Sequence, residues 1–273
     1  MSEVTGEAIT HGVHEAEPVA GPLEVWTERD GKLLRLRLNR PRANLIDAEM
    51  LAALQAALAE HETNANLCAV LLDAEGTDFS FGASVEEHLP GQCGSMLRSL
   101  HGLVKAMLAF PAPILVAVNG QCLGGGLEVA LAADLMFVAP GAKLGQPEMK
   151  LGVFAPAASC LLPERVGRAR ATDLLLSGRS IDGATAGAMG LAVEVGDDPE
   201  EAALHYVDQH LAGKSASSLR FAVEAARSGF KERVASGLDA VERLYLDGLM
   251  STRDAVEGLN AFLEKRPAVW EHH

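Results

Sequence analysis

Strand-length apolar runs alternate with helix-length amphipathic stretches in the first half of the chain, and this alternation limits the possible folds most. The runs 23–26 and 34–38 flank an Asp30-Gly31 turn, and in the second run leucines alternate with Arg35 and Arg37. That pattern predicts a half-buried β-hairpin. Buried strands are predicted from the uninterrupted apolar runs at 68–72, 114–118 and 135–139.

Two helices fit between these strands. Asp47 is a suitable N-cap for a helix whose apolar residues recur at helical spacing up to Leu58. A second helix is predicted around residues 96–107, with Pro111 and Pro113 ending it. Glycines 124–126 should open a third helix, and Pro147 should begin a short helical turn. The order of elements predicts an α/β core.

The second half of the sequence is mainly helical in pattern from about Ala169 onward. We expect a core over residues 22–195, followed by a helical subdomain over 196–273 that forms a trimerisation surface or a lid. Residues 1–21 have neither an apolar segment nor a periodic pattern, which predicts a disordered leader. The last helix should contain Ala255, Leu259, Phe262 and Leu263, and such a module favours an oligomer.

Charge and cysteine usage exclude several classes of function. The formal net charge of −14 over 273 residues should repel nucleic acid backbones. The four cysteines lack the spacing of a zinc site or of a disulfide framework, so we expect no metal and a reducing, cytoplasmic setting. No run approaches the ~18 apolar residues of a membrane span.

Two glycine-containing loops could supply main-chain donors to an anion. Residues 124–126 lie at a strand-to-helix junction, where the first N–H groups of the helix have no internal partner. The loop Phe79-Ser80-Phe81-Gly82-Ala83-Ser84 follows another strand and could present a second donor. Two such donors would stabilise a thioester enolate by ~3 to 4 kcal/mol each. Close packing for the glycines and an ordinary turn for the loop remain the alternatives.

Glu128 and Glu148 each follow the start of a helical segment, where the helix dipole alone would favour an acidic residue. Their spacing along the chain indicates that the two carboxyls also come close together in the fold. The helix leads away from Glu128 by roughly 8 Å and the next strand returns by about 16 Å, so Glu148 can come back near Glu128. Two carboxyls at one apolar pocket should divide into a base and an acid, as hydration of an activated double bond requires.

The chain resembles the crotonase (enoyl-CoA hydratase/isomerase) superfamily through ordered motifs from about Leu23 to Pro267. They include Asn39-Arg40-Pro41-Arg42-Ala43-Asn44-Leu45, the loop with Ala83, the glycines before Glu128, and Gly145-Gln146-Pro147-Glu148. The resemblance implies a spiral of ββα turns, assembled as a trimer or a dimer of trimers.

The resemblance also implies a role for individual residues. The N–H groups of Ala83 and Gly125 would form an oxyanion hole, Glu128 would position and deprotonate water, and Glu148 would protonate the α-carbon. Coenzyme A would enter as part of the substrate, with no separate cofactor. It would lie along Ala43 to Leu45 and Phe81 to Val85, with further contacts from Arg40, Ser84, Gly124 and Phe154, and with Lys265 near its phosphates.

Within the superfamily, residues 79–90 are similar to the corresponding segment of cyclohexa-1,5-dienecarbonyl-CoA hydratases of anaerobic benzoyl-CoA degradation. Ser84 departs from the usual Asp of hydratases, and the segment Phe154-Ala155-Pro156-Ala157-Ala158-Ser159 replaces a glycine-rich loop. A stiffer wall suits a compact ring substrate. We therefore expect hydration of a conjugated cyclic enoyl-CoA or dienoyl-CoA.

Other functions remain open on the sequence alone. Double-bond isomerisation or ring-opening hydrolysis could use the same enolate-stabilising scaffold. A noncatalytic CoA-thioester binder or an RNA-binding relative fits less well, because both glutamates are present and the net charge is −14. His88 could contact the substrate, although a single histidine beside two glutamates is more often solvated. His272 and His273 receive no function.

Overall fold

Nine strands in two sheets form the centre of the fold in the computed structural model, which describes residues 21–273. In chain order the strands are β1 Leu23–Glu28, β2 Leu33–Leu38, β3 Ala69–Ala74, β4 Ile114–Val118, β5 Gln121–Leu123, β6 Leu135–Val138, β7 Lys143–Gly145, β8 Ser180–Asp182 and β9 Glu194–Val195. The larger sheet has the order β1-β2-β3-β4-β6-β9, parallel except for the β1-β2 hairpin. The smaller sheet has the order β5-β7-β8.

Ten α-helices surround these sheets. They are α1 Ala48–His61, α2 Cys93–Ala109, α3 Gly125–Leu131, α4 Pro156–Val166, α5 Arg168–Ser177, α6 Gly183–Met189, α7 Pro199–Tyr206, α8 Ala216–Arg227, α9 Phe230–Arg243 and α10 Arg253–Leu263 within the described residues. Short 3-10 turns occupy Glu86–His88, Pro147–Leu151 and Leu249–Ser251, and π-helical turns follow α7 and α9 at Val207–Leu211 and Leu244–Gly248.

The two faces of the larger sheet are both covered. Helices α1 to α4 pack on one face, where Val70 and Leu72 of β3 point. Helix α7 and the π-turn after it pack on the other face, where Ala69 and Leu71 point. The alternation of β3 between the two packing layers follows from the two-residue period of a strand. A parallel sheet buried on both sides is the usual arrangement in α/β folds.

The hairpin departs from the half-buried prediction. Arg35 is only 2% exposed, because α7 covers the face of β2 from which the arginines project. The Arg35 guanidinium pairs with the buried Asp73 carboxylate and with Glu200 of α7, and Arg37 donates to Asp73 at 2.6 Å. Arg35 is therefore buried and Arg37 half-buried, and both are held in hydrogen-bonded ion pairs.

Most predicted elements are confirmed. Asp47 accepts a hydrogen bond from the Met50 N–H at 3.0 Å and so caps α1, and β4 has the bounds that Pro113 and Asn119 imply. The mainly helical pattern predicted after Ala169 is observed, and two short strands are added to it, because β8 joins the smaller sheet and β9 the larger one. The proposed boundary at residue 196 falls between β9 and α7. The predicted leader, residues 1–21, lies almost wholly outside the described residues.

Among the helices of residues 21–273, none combines the length and the apolar character that crossing a membrane requires.

Arg227 joins three elements of the fold. Its guanidinium is 4% exposed and donates to the carbonyl oxygens of Met107, Leu108 and Phe110 at the end of α2. It also pairs with the Asp134 carboxylate at 2.5 Å, just before β6. The Met107 carbonyl also accepts from the Phe110 N–H, whereas the Leu108 and Phe110 carbonyls lie past the last hydrogen bonds of the helix. Arg227 therefore supplies donors that these buried carbonyls need.

We expect Arg227→Met to lower the free energy of unfolding by about 3 kcal/mol, because it leaves the Asp134 carboxylate and several carbonyls unpaired. Urea denaturation of both proteins measures the difference. Arg233→Ala is the matched control, since Arg233 is exposed and pairs with Glu164 at the surface; this control should unfold close to wild type. Equal urea midpoints for Arg227→Met and Arg233→Ala would contradict the assigned role.

Candidate active site

A cavity of about 740 Å³ opens between segments that are far apart in sequence. Its walls come from residues 81–88, the start of α2, the turn before α3, residues 147–156 and the end of α10. Met96, Leu97 and Leu100 of α2 contribute apolar side chains, and Val153 and Phe154 face them from another segment. A largely apolar cavity with few polar groups is the usual form of a small-molecule site.

Ala83 and Gly125 lie side by side at this cavity. A methyl group placed on Gly125 would lie 3.1 Å from the Ala83 nitrogen. The loop of Ala83 is fixed by Ser80, whose buried hydroxyl donates to the Asn44 carbonyl at 2.7 Å and accepts from the Gly82 N–H at 3.1 Å. Gly125 begins α3, so its N–H points out of the helix. The structure thus brings the two residues together, and their use as oxyanion donors stays a prediction.

Glu128 lies in the first turn of α3 and is 3% exposed. One of its carboxyl oxygens accepts a hydrogen bond from the Ala158 N–H at 2.9 Å. Ala158 is in the first turn of α4, where N–H groups have no partner inside the helix. Burial raises the pKa of Glu128 well above its ordinary value, and the main-chain hydrogen bond opposes this rise only in part.

Glu148 lines the same cavity from the 3-10 turn Pro147–Leu151. Burial raises the pKa of this carboxyl, and the charge of Glu128 raises it further. Because each ionised carboxylate disfavours ionisation of the other, the two groups titrate as one unit. At neutral pH the arrangement favours one protonated and one ionised carboxyl, which are an acid and a base.

Gln146 holds the Glu148 carboxyl in place. With its amide nitrogen turned to Glu148, this buried side chain donates to both carboxyl oxygens, at 3.0 and 3.1 Å. With its amide oxygen turned instead, it can accept from a protonated Glu148. Gln146 therefore suits either protonation state. This contact could not be predicted from the sequence, because a glutamine two residues before a glutamate has no distinctive pattern.

Six of the predicted binding residues line the cavity, namely Leu45, Phe81, Ser84, Val85, Gly124 and Phe154. Arg40 does not, because Asp47 engages its guanidinium through two hydrogen bonds, one of 2.8 Å. Ala43 and Lys265 also lie outside the wall of this cavity. A role for these three in CoA binding stays a prediction. Lys150 and Arg266 are the cations that reach the cavity wall.

Within residues 21–273 no group of three or more His, Cys, Asp or Glu side chains is arranged to hold a metal ion. The polar groups at the cavity are the carboxyls of Glu128 and Glu148, the two main-chain donors and a few side chains at its rim. That set can stabilise negative charge on a thioester oxygen while protons move at the neighbouring carbons.

The family model described as enoyl-CoA hydratase/isomerase matches residues 28–273. The chain belongs to this family. A relative from Thauera aromatica, cyclohexa-1,5-dienecarbonyl-CoA hydratase, is 64% identical over 253 residues, which cover 93% of this chain and 98% of the relative. The predicted membership of the crotonase superfamily is confirmed.

Solved structures of the family share the fold. The enoyl-CoA hydratase/isomerase from Pseudoalteromonas atlantica has a TM-score of 0.80 and 30% identity, and the match covers 91% of this chain and 99% of that one. Enoyl-CoA hydratase from Bacillus anthracis has a TM-score of 0.73 and 30% identity, with 92% and 100% covered. The predicted crotonase-like α/β fold is therefore confirmed.

Gly124→Ala tests the fit of the turn around Glu148. Gly124 has a φ of +48°, and a methyl group on it would lie 2.8 Å from a Glu148 carboxyl oxygen. We expect kcat/KM for enoyl-CoA hydration to fall by about 10- to 100-fold, because the added methyl displaces the Glu148 carboxyl from its position at the cavity. Gly141→Ala is the control, since nothing lies within 4 Å of its added methyl. Equal kcat/KM values for Gly124→Ala and Gly141→Ala would show that the added methyl does not displace the Glu148 carboxyl.

The raised pKa values predict how stability depends on pH. Between the pKa of an unfolded glutamate and the higher folded values, the folded chain binds more protons than the unfolded one. The free energy of unfolding should therefore decrease as pH rises through this interval. Glu148→Gln removes one of the two groups, so its stability should decrease less from pH 5 to pH 8. Chemical denaturation at several pH values gives both slopes, and parallel slopes would exclude a raised pKa at Glu148.

Proposed function

We propose that this chain adds water to a conjugated cyclic dienoyl-CoA thioester, with cyclohexa-1,5-diene-1-carbonyl-CoA as its substrate. The observation that carries the proposal is the pair of carboxyls, Glu128 buried and Glu148 half-buried, beside two adjacent residues with main-chain donors in an apolar cavity. The ring substrate is supported by the 64% identity to the Thauera aromatica hydratase over nearly the whole length of both chains.

The geometry supports different roles for the two glutamates, one as a base and the other as an acid. As Glu128 removes a proton from water, the water oxygen bonds to the electrophilic end of the conjugated system. The π electrons shift to the thioester oxygen, which the N–H groups of Ala83 and Gly125 stabilise. Glu148 then delivers its proton to the α-carbon. Each turnover moves one proton from Glu148 and one to Glu128, so a proton must return to Glu148 before the next cycle.

The shape of the cavity favours a compact acyl group. Phe154 presents its ring to the cavity and packs edge-on against the buried Tyr245, with ring centroids 5.3 Å apart. Pro156 begins α4 directly behind it and fixes the backbone there. A packed aromatic side chain opposite Leu97 and Leu100 of α2 suits a flat six-membered ring better than a long flexible chain.

Glu128→Gln and Glu148→Gln test the catalytic pair. Each substitution keeps the shape of the side chain and removes its ability to exchange a proton, so we expect kcat to fall by about 100- to 10,000-fold. The measurement is loss of the absorbance of the conjugated thioester, with product mass determined in parallel. Glu164→Gln, at an exposed site on α4, is the control. Wild-type rates in both variants would refute the assigned roles.

The same assay separates hydration from other reactions of this scaffold. Hydration adds the mass of one water molecule, whereas isomerisation leaves the mass unchanged. We propose that no cofactor takes part beyond the CoA carried by the substrate. An assembly of three or six copies is supported by exposed apolar side chains such as Phe221 and Leu244, which are 79% and 61% exposed. A cytoplasmic location stays a prediction.

A further inference from the structure

His88 stands at the cavity with a nitrogen that the mechanism above does not use. It ends the 3-10 turn Glu86–His88, is half-buried, and lines the cavity together with Ser84 and Val85. This turn directly follows Ala83, which supplies one of the two main-chain donors. The imidazole therefore belongs to the same wall as the oxyanion site but lies further along it.

One hydrogen bond fixes the tautomer of His88. Its Nδ1 atom lies 2.8 Å from the Ser84 carbonyl oxygen. A carbonyl oxygen can only accept, so Nδ1 must carry the hydrogen and donate it. Burial lowers the pKa of His88, which favours the neutral ring. In that ring Nε2 has a lone pair and no hydrogen, so it can only accept a hydrogen bond.

The acceptor nitrogen of His88 is accessible and has no protein partner. Within residues 21–273 the only hydrogen bond of the His88 side chain is the one to Ser84. His101 offers a contrast, because its Nε2 is sealed among packed atoms without a partner, whereas Nε2 of His88 is not sealed. An accessible acceptor without a protein partner, on a residue that lines a ligand cavity, is suited to receive a donor from the ligand.

We propose that Nε2 of His88 accepts a hydrogen bond from an N–H or O–H group of the bound CoA thioester and helps to hold the ligand in register with the two glutamates. The inference rests on the proposed function for the identity of the ligand. Two groups carry the required chemistry, namely an amide N–H of the pantetheine arm of CoA and the hydroxyl of the hydrated ring. Either would be recognised by the same fixed acceptor.

Three substitutions separate this contact from a structural role of the ring. His88→Asn places an amide nitrogen near the position of Nδ1, so it can keep the hydrogen bond to Ser84 but loses the acceptor in the cavity. His88→Gln can place its amide oxygen near the position of Nε2 and keeps an acceptor there. His88→Phe fills similar space and loses both. Circular dichroism and thermal unfolding verify that each variant is folded.

Binding is measured by calorimetry with a hydroxycyclohexene-carbonyl-CoA, the hydrated thioester. We expect His88→Asn and His88→Phe to raise Kd by about 3- to 10-fold, as the loss of one neutral hydrogen bond would. His88→Gln should recover most of the affinity. Wild-type affinity in His88→Asn would assign the ring a purely structural role and overturn the proposal. The proposal would also be overturned if His88→Gln bound the thioester no more tightly than His88→Asn.

Free coenzyme A, titrated into the same variants, identifies the donor. If His88→Asn weakens free CoA as strongly as the thioester, the donor is a pantetheine amide. If only the hydroxylated thioester is weakened, the donor is the ring hydroxyl. Both patterns support the hydrogen bond. The proposed function is tested separately, since it fails if the wild-type protein does not hydrate the substrate. The titrations measure binding and require no turnover.

Discussion

The cost of burying two carboxylates at one apolar cavity is the constraint on which the site depends. An ionised carboxylate is strongly disfavoured away from water unless hydrogen bonds or opposite charges compensate it. No cation offsets Glu128 or Glu148 in the described hydrogen bonds, whereas the Ala158 N–H and the Gln146 amide do contact them. The pair thus keeps a proton at neutral pH that two solvated glutamates would lose. Proton transfer to and from carbon needs such a retained proton.

The fold brings these groups together from separate turns of the chain. Helix α3 carries Glu128, the turn after β7 carries Glu148, and the first turn of α4 supplies the donor to Glu128. The smaller sheet ends near the cavity, because β5 leads directly into α3 and its partner β7 leads into the turn of Glu148. A rigid pair of adjacent strands therefore sets the distance between the two carboxyls, which loops alone would leave variable.

Periodicity predicted the elements that are long enough to repeat a pattern. Helices α1 and α2 and strand β4 contain several apolar positions at fixed spacing, and they were placed correctly. Strands β8 and β9 have three and two residues, too few to show alternation. The burial of Arg35 was missed for a different reason. An arginine between leucines normally indicates a solvent-facing position, and only the later helix α7 reverses this.

The residues of the site also divide into those with a recognisable sequence pattern and those that only the three-dimensional fold selects. The spacing of helix and strand predicted that Glu128 and Glu148 come together, and the resemblance to the crotonase superfamily pointed to Ala83 and Gly125 beside them. It could not indicate the Ala158 N–H, since every residue except proline carries that group and only the three-dimensional position of α4 selects one. The apolar residues of α2 that line the cavity looked like ordinary core residues, because a cavity wall and a packed core have the same composition.

The use of main-chain groups around the reacting atoms has a consequence for how such a protein can change over evolutionary time. The donor to Glu128 and the two proposed donors to the thioester oxygen belong to the backbone, so they persist whatever side chains residues 83 and 158 bear, provided that no proline enters. The neighbouring side chains, among them Phe154 and Val85, are free to vary in size and polarity. Selectivity for the acyl group and the chemistry of proton transfer are therefore encoded in different atoms, and one can drift while the other stays intact.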